Sequence, residues 1–123
     1  MAAKSTYLAD KTLKHNTGET AYVMPASIYL ALFTTNPTAA ASGTEASGGS
    51  YARKVATFVN GSNNTDIEFI EATGSWGTIS HWALFDAATL GNMLYFGAVD
   101  SAQAVTSGNI PRFPTGDIDI TED

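Results

Sequence analysis

The sequence predicts an all-β fold, a two-sheet β-sandwich of jelly-roll or Ig-like type, with one short N-terminal helix. Three observations carry this expectation. Seven or eight short runs rich in β-branched and aromatic residues recur between residues 22 and 121, separated by Gly, Asn and Ser turn chemistry. Only one stretch, residues 5–16, spaces its apolar atoms at helical intervals. The 123 residues suit a single domain and include no Cys, which removes disulfides and thiolate metal sites as substitutes for a core.

The elements follow in order. Ser5 or Thr6 can cap the helix, and Tyr7, Leu8, Thr12 and Leu13 form its apolar side. Lys11, Lys14 and His15 occupy its last turns, where the helix dipole favours positive charge, and Gly18 marks its end. Residues 1–18 therefore read as an N-terminal helical arm, and 19–123 as a single β-sandwich domain with a long loop at 38–50. Residues 26–34 are nearly continuous in apolar side chains, which suits a strand buried on both faces or a buried helix turn, and Pro25 and Asn36-Pro37 bound them at strand length. Residues 38–50 are Ala, Gly, Ser and Thr with one Glu. With no apolar periodicity, this loop is expected to be an exposed arm that contacts a neighbouring subunit.

A second strand is expected at 51–59, kinked near Arg53, followed by a turn at 60–64 and an alternating strand at 66–70. Residues 76–85 form the longest candidate strand. Alternation places Ile79, His81, Ala83 and Phe85 on one face and Ser80, Trp82 and Leu84 on the other. A hairpin loop at 86–92 leads to strands at 93–99 and 102–105. Pro111 confines 110–113 to an edge, and 117–121 alternates as a last strand. Leu30, Leu32, Phe58, Phe69, Trp82 and Leu84 are the expected inward side chains. Trp76, Trp82 and Phe85 are expected to cluster in the core, the alternative being an aromatic interface patch.

Charge excludes several functions. Six Lys and Arg stand against twelve Asp and Glu, a net charge of -6, so no dominant basic face can form and nucleic-acid binding is not expected. No apolar run approaches the ~20 residues that span a bilayer, and the first 14 residues lack the apolar region of a secretory signal, so no membrane role is expected. The charged fraction, 15%, is low, with Ala, Gly, Ser and Thr in its place. Such a surface suits contact with other protein, and self-association as a trimer or array is expected.

Chemical motifs are weak. His15 and His81 lack metal-ligand spacing, and no nucleophile elbow accompanies His81, so it is expected to be structural. Asp117, Asp119 and Thr121, with Glu122 and Asp123 beside them, could offer oxygen to calcium but lack the Gly and distal Glu of a calcium loop, and read as a solvated strand face. The Gly-rich run at 43–50 lacks the Lys of a phosphate-binding loop. Asn60 and Asn63 open glycosylation-like triplets but read as turn residues. No catalytic residue, cofactor or metal ligand is therefore expected. The candidate interface residues are Thr38, Ser42, Glu45, Ser47 and Ser50 in the long loop, with Lys11 and Lys14 on the helix.

Three runs carry a resemblance. They are 27–38 (SIYLALFTTNPT), 43–58 (GTEASGGSYARKVATF) and 76–97 (WGTISHWALFDAATLGNMLYFG). In that order they resemble elements of a family of small tailed-bacteriophage virion proteins commonly labelled phage tail fibre or minor structural protein. The sequence departs from the family pattern at 102–114, where Pro111 and Pro114 interrupt a more regular strand. The resemblance implies a non-enzymatic structural protein on the exterior of the virion, made in the host cytoplasm. Its implied partners are the phage major capsid protein or tail proteins, together with further copies of itself. Compactness, and the lack of coiled-coil heptads or triple-helical repeats, makes a capsid decoration (cement) protein the first expectation. A tail fibre or tail-tip protein is the alternative, and a carbohydrate- or receptor-binding β-sandwich module a second.

Overall fold

A computed structural model describes residues 2–22 and 25–120. The chain order is β1 (Ala2–Lys4), α1 (Thr6–Asn16), β2 (Ile28–Phe33), β3 (Lys54–Ala56), β4 (Phe58–Val59), β5 (Ser62–Asn63), β6 (Ile67–Glu68), β7 (Gly77–Phe85), β8 (Met93–Val105) and β9 (Arg112–Phe113). The protein is all-β with one short helix. One layer is an antiparallel five-stranded sheet, ordered β1-β8-β7-β2-β3. The facing layer is two antiparallel ribbons, β4-β5 and β6-β9.

The apolar run of β2 is buried on both faces because it sits inside the sheet, between β7 and β3. Leu30 and Leu32 point into the main core with Ile67, Phe69, Trp76, Trp82, Leu84 and Ile118. Phe58 packs against this core while partly exposed. Ala31, Phe33, Ala83, Phe85 and Met93 form a smaller core on the opposite face. The two tryptophans and Phe85 are therefore not one cluster: the sheet separates Phe85 from both.

Ser5 caps α1 as expected, its Oγ accepting from the Leu8 amide at 3.1 Å. The same hydroxyl donates to the Met93 carbonyl at 2.5 Å, and the Ser5 amide donates to Leu94 at 2.8 Å. Ser5 is thus fully buried and staples the helix start to β8. Just before it, residues 2–4 pair with β8, an edge strand too short to show any sequence period.

Four local expectations need correction. First, Ile79 faces the main core with Trp82 and Leu84, not the opposite side. A bulge between β7 and β8 skips from Ile79↔Gln103 to His81↔Ala98, which changes the face that Ile79 presents. Second, the candidate strands at 93–99 and 102–105 are one strand, β8, running through that bulge. Third, residues 117–120 form no ladder beyond a single bridge, Ser62↔Asp119. Buried Asn63 takes the ladder's place: its Oδ1 accepts from Ile118 N at 2.9 Å, and its Nδ2 donates to Thr65 and Pro114 carbonyls at 2.8 and 3.0 Å. Asn63 is an internal tie rather than a turn residue. The turn itself is Asn60-Gly61, both at positive φ, as a two-residue hairpin requires. Thr121, Glu122 and Asp123, at the end of the expected last strand, lie outside the described residues.

Fourth, the long loop is largely exposed, as expected, but it is tied to the fold along its length rather than standing off as a free arm. Pro37 and Ala46 are buried. The Ala39 carbonyl accepts from the Thr6 amide at 2.8 Å, which joins the loop to the start of α1. Residues 44–46 extend the sheet beyond β3, through Thr34 N to Thr44 O at 2.9 Å and Ala46 N to Leu32 O at 2.8 Å. Gly49 then passes so close to Gly74 that a Cβ on it would stand 2.1 Å from the Gly74 nitrogen. Composition alone hides these ties, because backbone groups make most of them.

Candidate interaction surfaces

The seven candidate interface residues fall in different settings. Thr38 and Ser42 meet at the exposed loop tip, hydroxyl to hydroxyl at 2.9 Å, with Ser42 also donating to the Pro37 carbonyl at 3.0 Å. Ser47 is exposed. Ser50 is exposed and bonded to Thr73 Oγ1 at 3.0 Å. Lys11 lies over the Tyr7 ring at 5.7 Å, and Lys14 pairs with Asp10 at 3.3 Å. The structure joins Thr38 to Ser42 and leaves the two lysines together on α1.

Glu45 belongs to a different arrangement, which composition does not reveal. Arg53 donates to both of its carboxylate oxygens, Nε to Oε2 and Nη2 to Oε1, each at 2.9 Å. Arg53 Nη1 donates to the carbonyls of Ala87 at 3.0 Å and Leu90 at 2.7 Å. The guanidinium stacks 3.8 Å from the centre of the Phe85 ring. Tyr51 Oη donates to Glu45 Oε2 at 2.7 Å and accepts from the Leu32 amide at 3.1 Å. Burial, then the bond to Glu45, pushes the Tyr51 phenol far above its ordinary pKa, so it remains a donor. This corner holds together the long loop, the approach to β3 and the 86–92 hairpin. Its Arg is 7% exposed, and its donors are spent on the protein itself.

A second charged region is open. A cleft of about 410 Å³ lies between the bulged half of β8 and β9, with Leu32, Ile79 and Val105 at its base. Asp100 and Asp117 line it. Neither makes an ion pair among the described residues, and burial followed by the charge of Asp100 raises the Asp117 pKa. Arg112, also lining the cleft, is held by Asp66. That bond, with two more from Thr115, lowers the Asp66 pKa to about 2. Along the outer ribbon surface, Ile70 and Ile110 are 58% and 48% exposed. The cleft depends on the β7–β8 bulge and the Pro111 edge, so the only signal in the sequence is the break in regular strand pattern at 102–114.

Ser80 Oγ and His81 Nδ1 are 2.8 Å apart, and Ser80 also donates to the Thr34 carbonyl at 3.2 Å. The pair sits at the bulge and ties β7 to the end of β2.

No curated protein matches the chain. Residues 3–121 match the family described as podophage GP4 fiber I protein gp80. The match takes in all three motif runs, both core faces, the Arg53 corner and the cleft, so the chain belongs to that phage fibre protein family.

Proposed function

We propose that the protein is a non-catalytic structural component of a phage tail fibre or tail tip, on the exterior of the virion. The observation that carries this reading is the family match over 3–121, whose description is of a fibre protein. It favours the tail over the capsid-decoration reading that compactness alone suggests. The architecture suits the role: a sheet braced on both faces, with loops locked by buried polar bonds, gives a rigid module that can bear contacts. The partners in this reading are tail proteins and further copies of the same chain. Gold-labelled antibody against the protein, imaged on intact particles, tests the placement. Label on the tail or its fibres is expected; label spread over the head would return the protein to capsid decoration.

A further inference from the structure

The β8–β9 cleft combines an open strand edge, an apolar base and unpaired acid. β1 pairs only with residues 95–97 of β8, which runs on to Val105. Beyond Gly97 the outer edge of β8 has no ladder partner among the described residues. Residues 98 and 100–104 are exposed, and this stretch forms one wall of the cleft. Free backbone donors and acceptors along such an edge can pair with an added strand. Ile110, 48% exposed, adds apolar surface beside β9 to the base at Ile79 and Val105. Asp100 comes from β8 and Asp117 from the segment after β9. Neither makes an ion pair among the described residues. The charge of Asp100 helps to raise the Asp117 pKa, so the two repel and a cation shared between them relieves that repulsion.

The cation has to come from elsewhere. Arg112 lines the same cleft, but Asp66 holds it, and Arg53 is closed in by Glu45. A second copy brings twelve acids with its six bases, so net charge opposes its approach to an acidic cleft. The chemistry favours a lysine. Its four-carbon stem can cover apolar surface, and its compact ammonium can serve carboxylates on two segments at once.

We propose that an extended segment of a different virion protein adds to the outer edge of β8 at residues 98–104 and sets a lysine in the cleft, its stem over the apolar base and its ammonium between Asp100 and Asp117. This rests on the proposed function and deepens it, because the contact is the attachment of this protein to a neighbouring tail protein.

Carbodiimide coupling of intact particles tests it, since the reagent joins a carboxylate to a lysine amine only where the two meet. Peptide mass spectrometry is expected to find Asp100 or Asp117 joined to a lysine of a different virion protein, in lower yield when salt is added. From particles carrying Asp100→Asn with Asp117→Asn, the protein should wash off in salt at least about tenfold faster. If that variant does not assemble, coupling of the unmodified particle decides alone. No lysine product at either aspartate, while exposed Glu68 and Glu71 react with added glycinamide, would overturn the contact. Products that join the cleft only to lysines of a second copy would overturn it too. A product with a head protein would uphold the cleft contact and overturn the tail placement instead.

Discussion

Two charged regions of this protein differ in how their bonds are used. At the Arg53 corner, a guanidinium bonded to both oxygens of Glu45 also reaches two backbone carbonyls and stacks on Phe85. At the β8–β9 cleft, Asp100 and Asp117 face an open space with an apolar base and make no ion pair among the described residues. The first region is closed on itself and contributes to holding the fold. The second has attraction left to give. Charge is spent on the fold at the first region and left open at the second.

Substitution should separate the two. Trp82→Ala sets the scale of the core, at about 3–5 kcal/mol lost in denaturant unfolding. Arg53→Ala should approach it, at about 3 kcal/mol, because it strands Glu45 and frees two loops together. Arg53→Lys should recover only part of that loss, since an ammonium cannot make the two-pronged bond to Glu45. A loss below about 0.5 kcal/mol for Arg53→Ala would make the corner ornamental and erase the contrast.

The pH dependence sharpens the contrast further. The Asp66 pKa is lowered on folding, so its contribution is present above the unfolded carboxylate range and is lost as pH falls from about 5 toward 2. Asp117 has the opposite sign: its raised pKa makes its contribution complete at low pH and diminished as pH rises through its folded value. Thermal melts of Asp66→Asn should show a shallower acid loss than the unmodified chain. An equally steep loss would assign the acid sensitivity to other groups. Smallest of all, Asp100→Asn with Asp117→Asn should change folding stability by no more than about 0.5 kcal/mol, because no bond among the described residues depends on either side chain. A larger loss would make the cleft part of the fold's support.

The contrast also marks what the sequence could reveal. The periodicity of β2 and β7 exposes the central strands and the core residues Leu30, Leu32, Trp82 and Leu84, since alternation and burial act residue by residue. Ser5 announces the helix because capping is local. The long loop is legible only as a loop: its restraints are backbone bonds from Thr6, Leu32 and Gly74's close passage, which leave no trace in side-chain type. Glu45 and Arg53 lie eight residues apart in an otherwise weakly charged stretch. Their pairing depends on residues 44–46 lying along β2, which no local pattern foretells. The bulge that turns Ile79 inward and shapes the cleft is a non-local register shift for the same reason. The candidate interface residues show the limit most clearly, because Glu45 is chemically apt for a partner but already engaged within the chain.

Hydrogen exchange tests the division between a closed corner and an open cleft most directly, by comparing the dilute isolated chain with the same chain in the intact particle. The account predicts that residues 98–104 and 109–113, around the cleft, gain protection on assembly, while 44–53, around Arg53, exchange at the same slow rate in both states. New protection at 44–53 with an unchanged cleft would contradict it.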